Sequence, residues 1–130
     1  NDSKATSFDA SLQSLSNYNN IYWIVGGLPK RQDCFYLKNV KKRIVKAYVI
    51  GNHTSFFKKQ IRNDIPYTTS KNIRNAINNI YKDVKLRGDS KKTILLSPAA
   101  ASFDQFNNFE NRGTYFKKLI IKKFKQKLNV

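Results

Sequence analysis

Short apolar runs that end at glycine or proline constrain the fold of this chain more than any other feature of its sequence. Three of them are rich in β-branched residues, and a run of about four to eight such residues between turn signals predicts a buried strand. A fourth run is weaker and contains Pro66, which suits a strand start or an edge strand. The predicted strands are Ile21–Val25, Ile44–Ile50, Ile65–Thr69 and Thr93–Leu96.

Apolar residues at three- and four-residue spacing fill the gaps between these runs and predict helices. Strands that alternate with helices predict an α/β fold, with a mostly parallel sheet and helices on both faces. The chain has 130 residues, no internal repeat and no low-complexity linker, so residues 1–130 are predicted to form a single domain. Gly113 is a potential weak point of the last helix. The predicted helices are about Phe8–Leu15, Thr54–Arg62, Ile73–Val84 and Asp104–Leu128.

The chain is strongly basic, with 25 Lys and Arg residues against 8 Asp and Glu and a formal net charge of +17. Such a charge raises nucleic acid as a partner. A compositional explanation competes with it, because Lys (19), Asn (15) and Ile (12) all have AT-rich codons. Only 6 of the cations are Arg, the residue that most often reads base edges. We favour the compositional explanation and keep a basic nucleic-acid-binding module as the alternative function.

Six lysines are concentrated near the end of the chain. The apolar residues between them recur every four positions, at Phe116, Ile120, Phe124 and Leu128, which is typical of a helix with one solvated face. Contact of this face with a nucleic acid or an acidic membrane stays open. The clustered lysines are Lys117, Lys118, Lys122, Lys123, Lys125 and Lys127.

The scarcity of Cys, His and Glu excludes several kinds of site. Cys34 is the only cysteine, which excludes an internal disulfide and a four-cysteine zinc site, and we expect it to be structural. His53 is the only histidine, so we predict a surface position near a helix start and no metal site. Glu110 is the only glutamate, which excludes a local pair of glutamates for acid–base chemistry.

Several larger signatures are absent from the sequence. Neither the dinucleotide pattern G-x-G-x-x-G nor the P-loop pattern G-x-x-x-x-G-K occurs. No apolar run approaches the roughly 18 residues of a membrane span. Because the chain contains no methionine, we expect it to be a fragment of a longer protein.

Ligands of α/β sheets collect where strands end and helices begin. Three such junctions are predicted here, at residues 1–7, Gly26–Lys30 and Ser97–Phe103. In the third, Ser102 and Gln105 fit a capping box, and a helix start there would either be capped only or also receive a carboxylate or phosphate.

The other two junctions leave similar alternatives. Thr6 and Asp9 fit a cap of the first helix. Lys30 would lie at the rim of the strand ends, where it either pairs with an anion or is one more exposed lysine.

Four motifs cover these junctions and the last helix, in a specific order along nearly the whole chain. They are Asn1-Asp2-Ser3-Lys4-Ala5-Thr6, Gly26-Gly27-x-x-Lys30, Leu96-Ser97-Pro98-Ala99-Ala100-Ala101-Ser102-Phe103-Asp104-Gln105-Phe106 and Phe109-Glu110-x-Arg112-Gly113. In this order the motifs resemble the C-terminal domain of the Mur ligases, and within that family the members that add D-glutamate.

The resemblance implies a Rossmann-like domain, the last of three in an ATP-dependent amide-bond ligase. In this branch of the family, ATP phosphorylates a carboxylate of UDP-N-acetylmuramoyl-L-alanine, and the amine of D-glutamate displaces the phosphate. ATP and Mg²⁺ are bound mainly by a central domain with a P-loop, so we expect these 130 residues alone to be inactive. The implied enzyme is a cytoplasmic monomer of peptidoglycan precursor synthesis, and thereby serves cell wall formation, cell shape and cell division.

The resemblance also implies roles for single residues. Asp2 matches a position near the ATP ribose, and Lys4 matches one that faces the phosphates and the reaction centre, which makes Lys4 the catalytic candidate. The implied contacts of D-glutamate are Thr6, Lys30, Ser102, the backbone of Phe103, and Phe109.

Two residues depart from the pattern of the family. Phe103 replaces a common Leu, which leaves its backbone N–H in place but changes the shape of the implied pocket. Ala100 replaces a common Cys, which argues against thiol chemistry at this loop.

Overall fold

The computed structural model of the chain describes residues 1–88, 91–102 and 105–124. Several sequence predictions fall outside these residues. They are the backbone contact of Phe103, the helix start at Asp104, and the terminal positions Lys125, Lys127 and Leu128.

A four-stranded sheet forms the centre of the molecule. All the strand pairs are parallel, and the strand order is β3-β2-β1-β4. The mostly parallel α/β sheet predicted from the sequence is therefore confirmed, and the two runs Ile44–Ile50 and Thr93–Leu96 match their strands at both ends. The strands are β1 (Ile21–Gly26), β2 (Ile44–Ile50), β3 (Tyr67–Lys71) and β4 (Thr93–Leu96).

Two helices cover each face of this sheet, which gives the Rossmann-like arrangement. Along β1, Trp23 and Val25 pack toward one face, and Tyr22 and Ile24 toward the other. Because both faces are covered, all six residues of β1 are buried, as in other parallel sheets. The helices are α1 (Phe8–Asn17) and α2 (Thr54–Ile61) on the Trp23 face, and α3 (Ile73–Arg87) and α4 (Phe109–Phe124) on the Tyr22 face.

The edge strand β3 begins later than the sequence predicts. Pro66 precedes the strand, and its carbonyl accepts a hydrogen bond from the backbone N–H of Ala47 at 2.9 Å. Ile65 is buried in the core without being part of the strand. The edge-strand interpretation of this run is confirmed, because β3 is the outermost strand on its side of the sheet, but Pro66 itself lies one residue before the strand, which begins at Tyr67.

The last helix begins later than predicted, because residues 105–108, which lie within the predicted helix, are not helical. Helix α4 begins at Phe109, and the side chain of Asn108 accepts a hydrogen bond from the N–H of Asn111 at 2.8 Å, in the manner of an N-cap. The Ser102 carbonyl accepts from the N–H of Gln105 (3.0 Å) in a turn that no helix continues. The Ser102/Gln105 pattern therefore does not mark the start of α4, and Asn108 caps that helix instead.

The cap of α1 is also displaced, by one residue. Ser7, and not Thr6, is the N-cap, and its hydroxyl accepts from the N–H of Ala10 at 3.4 Å. The side chain of Asp33, from the loop after β1, accepts from the N–H of Phe8 at 2.9 Å. The backbone N–H of Phe8 is thus satisfied by a carboxylate that is distant in sequence, whereas the sequence pattern predicts a local cap by Thr6 and Asp9.

Three single-residue expectations have different outcomes. His53 is exposed at the N-cap position of α2, as predicted, but its side chain makes no capping hydrogen bond. Cys34 was predicted to be structural, but it is exposed and packs into no core, so that prediction is wrong. Gly113 lies inside α4, which continues through it to Phe124. In the part of the chain that the structure describes, no helix is long and apolar enough to cross a membrane.

Candidate functional site

The strand order creates a topological switch point between β1 and β4. The chain passes from β1 to β2 and β3 on one side of the sheet and returns to β4 on the other side of β1. The loops that leave the carboxyl ends of β1 and β4 therefore diverge from neighbouring strands, which is where ligands bind in open α/β sheets. Two of the three predicted junctions, Gly26–Lys30 and the described residues of Ser97–Phe103, lie at this point.

Backbone hydrogen bonds join these two loops to each other. The N–H of Gly26 donates to the carbonyl of Pro98 at 2.9 Å. Leu28 and Ala101 exchange two bonds, each of 2.9 Å, as an isolated antiparallel bridge. Gly27 has a φ of +137°, and a Cβ atom there would lie 2.6 Å from the Ala101 carbonyl oxygen. A glycine is therefore required for the loops to approach this closely.

The third junction, residues 1–7, lies against the end of β4. The N–H of Asp2 donates to the Leu96 carbonyl at 2.7 Å. The Asp2 carboxylate oxygen Oδ2 accepts from the hydroxyls of Ser97 (2.6 Å) and Ser14 (2.8 Å). Among residues 1–88, 91–102 and 105–124, the second oxygen Oδ1 accepts no hydrogen bond.

Ser97 connects this junction to the core. It is fully buried, and its carbonyl accepts from Trp23 Nε1 at 2.8 Å and from the Ser11 hydroxyl at 3.1 Å. Its own hydroxyl donates to Asp2, so Ser97, which directly follows β4, links the sheet, α1 and the segment at Asp2. The position of the Asp2 carboxylate is thus set by rigid elements and not by a loop alone.

Arg112 ties the same segment to the loop after β4. Its side chain is buried, with 1% of its surface exposed. Nε donates to the Ser3 hydroxyl (3.0 Å), Nη2 to the Ser3 carbonyl, and Nη1 to the Ala100 carbonyl (3.0 Å). The Ser3 hydroxyl in turn donates to the Phe109 carbonyl at 2.7 Å. One planar group from the first turn of α4 therefore fixes both neighbouring segments.

Gly113 allows that segment to lie directly on α4. A Cβ atom at Gly113 would lie 3.1 Å from Ser3 Cβ and 3.3 Å from Asn1 Nδ2. The side-chain amide of Asn1 donates to the Gly113 carbonyl at 2.9 Å. The glycine that the sequence marks as a weak point of the helix is thus the place where another segment packs on it.

The residues predicted to bind ligands surround these ties. Ser102 is 3% exposed and follows Ala101 directly, while Phe109 is 39% exposed at the start of α4. Lys4, Phe109 and Lys117 line one open cleft. Thr6 is half-buried and lies two residues before α1. The structure brings the loops of these residues together, but it shows no direct contact among the side chains of Thr6, Lys30 and Ser102.

Lys4 and Lys30 are the predicted cations of the site, and both are available to an anion. Both side chains are exposed. Over the described ranges, neither side chain forms a hydrogen bond or an ion pair. Two uncommitted ammonium groups at a switch point can bind carboxylates or phosphates by charge-assisted hydrogen bonds.

The donor set of the described residues does not fit a resident metal ion. No group of three or more His, Cys, Asp or Glu side chains comes together in residues 1–88, 91–102 and 105–124. Asp2 and Glu110 are carboxylates at this edge, and two hydroxyls already bind Asp2 Oδ2. The remaining oxygen of Asp2 can accept a hydrogen bond from a hydroxyl or N–H group of a ligand.

Arg112 is the central residue that the sequence reasoning missed. It belongs to the motif Phe109-Glu110-x-Arg112-Gly113, but the resemblance assigns it no role. A signal was present, because Arg112 lies four residues before Phe116, eight before Ile120 and twelve before Phe124 on the same helical stripe. A charged residue at a core position of an apolar stripe predicts a buried, hydrogen-bonded side chain.

The chain is similar in sequence to a set of curated proteins that share one name. No family model matches the chain. Curated relatives include proteins of Rhodopseudomonas palustris (42% identity over 92% of this chain), Phenylobacterium zucineum (43% over 94%) and Rickettsia prowazekii (41% over 92%). Each is named UDP-N-acetylmuramoylalanine--D-glutamate ligase. The chain spans about a quarter of their length, 26%, 26% and 27% respectively. The resemblance that the motifs indicate is thereby confirmed.

Proposed function

We propose that this chain is the C-terminal domain of a D-glutamate-adding Mur ligase and brings D-glutamate to the reaction. It matches about a quarter of the length of its curated relatives. The ligase would join D-glutamate to UDP-N-acetylmuramoyl-L-alanine through an acyl phosphate, at the expense of ATP, in cytoplasmic peptidoglycan precursor synthesis. The observation that carries the proposal is the convergence of three loops, with two uncommitted lysines, at the switch point of a Rossmann-like sheet.

D-Glutamate presents two carboxylates and one amine, and this edge of the sheet suits its carboxylates. Lys30 follows the Gly26–Leu28 turn and would pair with one carboxylate. Ser102, buried beside the Leu28–Ala101 bridge, would donate its hydroxyl to the other. Thr6 would add a further hydroxyl contact, and Phe109 would cover the apolar stem of the ligand.

Asp2 and Lys4 would act on the nucleotide side of the same site. When bound, ATP supplies the phosphoryl group that activates the substrate carboxylate. Asp2 Oδ1 would accept a ribose hydroxyl, because Oδ2 is committed to Ser14 and Ser97. Lys4 would place its ammonium group near the phosphates and stabilise the negative charge that develops during transfer. Mg²⁺ would be held by other parts of the enzyme, since the described residues hold no suitable donor set.

The test is to substitute the D-glutamate contacts in the full-length enzyme that contains this chain. A charge-assisted hydrogen bond contributes about 1.5–3 kcal/mol, so we expect Lys30→Ala and Ser102→Ala to raise the KM for D-glutamate roughly 10- to 100-fold. Lys38→Ala, an exposed lysine of the same connection, serves as the matched control. Wild-type KM values in both site variants would contradict the proposal.

A further inference from the structure

We propose that Arg112 is a positioning residue that holds the nucleotide side and the D-glutamate side of the site in one fixed arrangement. The inference rests on the proposed function for the identity of the two sides. It assigns Arg112 no contact with a substrate, so the residue would act only through the two segments it joins.

The contacts of the guanidinium group carry the first step. Two of its nitrogens bind Ser3, which lies between Asp2 and Lys4, and the third binds the carbonyl of Ala100. Ala100 lies two residues before Ser102. A planar group with donors in fixed directions therefore sets the distance between the pair Asp2/Lys4 and the loop of Ser102.

The burial of the guanidinium indicates that its hydrogen bonds serve a purpose beyond packing. Arg112 is 1% exposed and lies on the same helical stripe as Phe116 and Ile120, which are apolar and buried. Desolvation of a guanidinium is costly, and an apolar residue at this position would avoid that cost. The directional hydrogen bonds to Ser3 and Ala100 are what the apolar residue would lack, so these bonds explain the choice of arginine.

A second contact docks the nucleotide side only. Gly113 packs against Ser3 and Asn1 and accepts the Asn1 amide, and the three atoms nearest to a Cβ at this position all belong to Ser3 and Asn1. The two neighbouring residues of α4 thus differ in reach, because Arg112 holds both segments and Gly113 holds one. This difference separates a coupling role from general damage to the helix.

The experiment compares Arg112→Lys and Gly113→Ala in the full-length enzyme, with Lys118→Gln on the exposed face of α4 as the control. Lysine keeps the charge but loses the fork, and a displacement of about 1 Å in a site costs up to about 100-fold in rate. We expect Arg112→Lys to raise the KM values for both ATP and D-glutamate and to lower kcat. The combined loss in kcat/KM is expected to be about 10- to 100-fold. We expect Gly113→Ala to raise the KM for ATP alone.

Hydrogen–deuterium exchange of the same variants gives a readout that needs no substrate. Asp2 and Ala101 both donate backbone hydrogen bonds, so their amides are protected in the wild-type protein. Arg112→Lys should accelerate exchange at both places, Gly113→Ala only near Asp2, and Lys118→Gln at neither.

The outcomes separate the two proposals. Unchanged exchange and unchanged KM values in folded Arg112→Lys, or a lower melting temperature as its only effect, would overturn the positioning role. A wild-type enzyme that does not ligate D-glutamate would overturn the proposed function, while the exchange data would still test the coupling of the two segments. If Arg112→Lys does not fold, Ser3→Ala removes both hydroxyl contacts, the one from Arg112 Nε and the one to the Phe109 carbonyl, and keeps the bond of Arg112 to the Ser3 carbonyl. It should accelerate exchange at Asp2, and unchanged exchange would count against the role.

Discussion

At the scale of single residues, Tyr48 offers a test of the core that is independent of the site. Its hydroxyl donates to Asp83 Oδ2 at 2.7 Å, and the same oxygen pairs with Lys46 at 3.0 Å. Burial, followed by the hydrogen bond to Asp83, raises the pKa of Tyr48 well above the usual value of about 10. The folded state therefore resists ionisation of this phenol at pH values where the unfolded chain ionises.

The sign of this shift determines the pH dependence of stability. The contribution of Tyr48 is fully present below pH 10, about the pKa of an unfolded tyrosine, and decreases as the pH rises above it. We expect Tyr48→Phe to lower the free energy of unfolding by about 1–2 kcal/mol at pH 7 and to flatten its decline above pH 10. Urea unfolding at several pH values measures both, with the half-exposed Tyr18→Phe as control. Parallel curves for the wild type and Tyr48→Phe above pH 10 would contradict the assignment.

Individual residues also show the limit of sequence reasoning about the site. The three junctions could be predicted, because glycine turns and small polar residues after apolar runs mark strand ends in any α/β sheet. The hydrogen bonds that join the junctions could not, since several of them are accepted by backbone carbonyls, such as those of Leu96, Pro98 and Ala101, which carry no sequence signal. Arg112 is intermediate, because its burial could be predicted from its place on the apolar stripe, whereas its hydrogen-bond partners could not.

At the scale of elements, the connection from β1 to β2 is held by aromatic packing. Residues 27–43 contain no α-helix, only a 3₁₀ turn at Lys41–Arg43. Phe35 anchors the connection, with its ring stacked on Phe8 at 4.5 Å between centroids and against Phe57 at 6.0 Å. The next residue, Tyr36, is 72% exposed. Adjacent aromatic residues therefore have opposite environments.

This contrast gives a prediction with a built-in control. Removing a buried Phe costs about 3–5 kcal/mol, so Phe35→Ala should lower the free energy of unfolding by that amount and loosen the loop that carries Lys30. Tyr36→Ala should change it by about 0.5 kcal/mol or less. Chemical denaturation of the three proteins measures the difference. Similar losses in the two variants would show that the connection is not anchored through Phe35.

The elements also differ in how well the sequence predicts their ends. Strands β2 and β4 could be placed at both ends, because β-branched runs stop at Gly51 and at Ser97-Pro98 and nothing competes with those signals. The start of α4 was missed, because Ser102 and Asn108 are both capping residues and only the packed structure selects the second. Where two local signals compete, tertiary contacts decide.

At the scale of the whole molecule, part of the +17 charge has a structural explanation. Helices α2, α3 and α4 each end with basic residues in the last turn, where a positive charge is favourable near the helix C-terminus. In the described part of the chain, the pair of Lys46 and Asp83 is the single salt bridge. Much of the charge therefore stays solvated, and no observation favours a nucleic-acid site. The basic residues of the three last turns are Lys58, Lys59, Lys85, Arg87, Lys122 and Lys123.

Solvated lysines still attract phosphate backbones, so the charge predicts a defined binding behaviour. We expect weak binding of this chain to short duplex DNA, with a Kd of about 10⁻⁴ to 10⁻⁶ M near physiological salt and a linear fall of log affinity with log salt. Two duplexes of equal length and different sequence should bind equally, because lysines contact phosphates without reading base edges. A salt titration by fluorescence anisotropy measures both properties. Nanomolar binding that discriminates between the duplexes at physiological salt would instead support the nucleic-acid-binding alternative and require a base-reading surface that the ligase proposal does not contain.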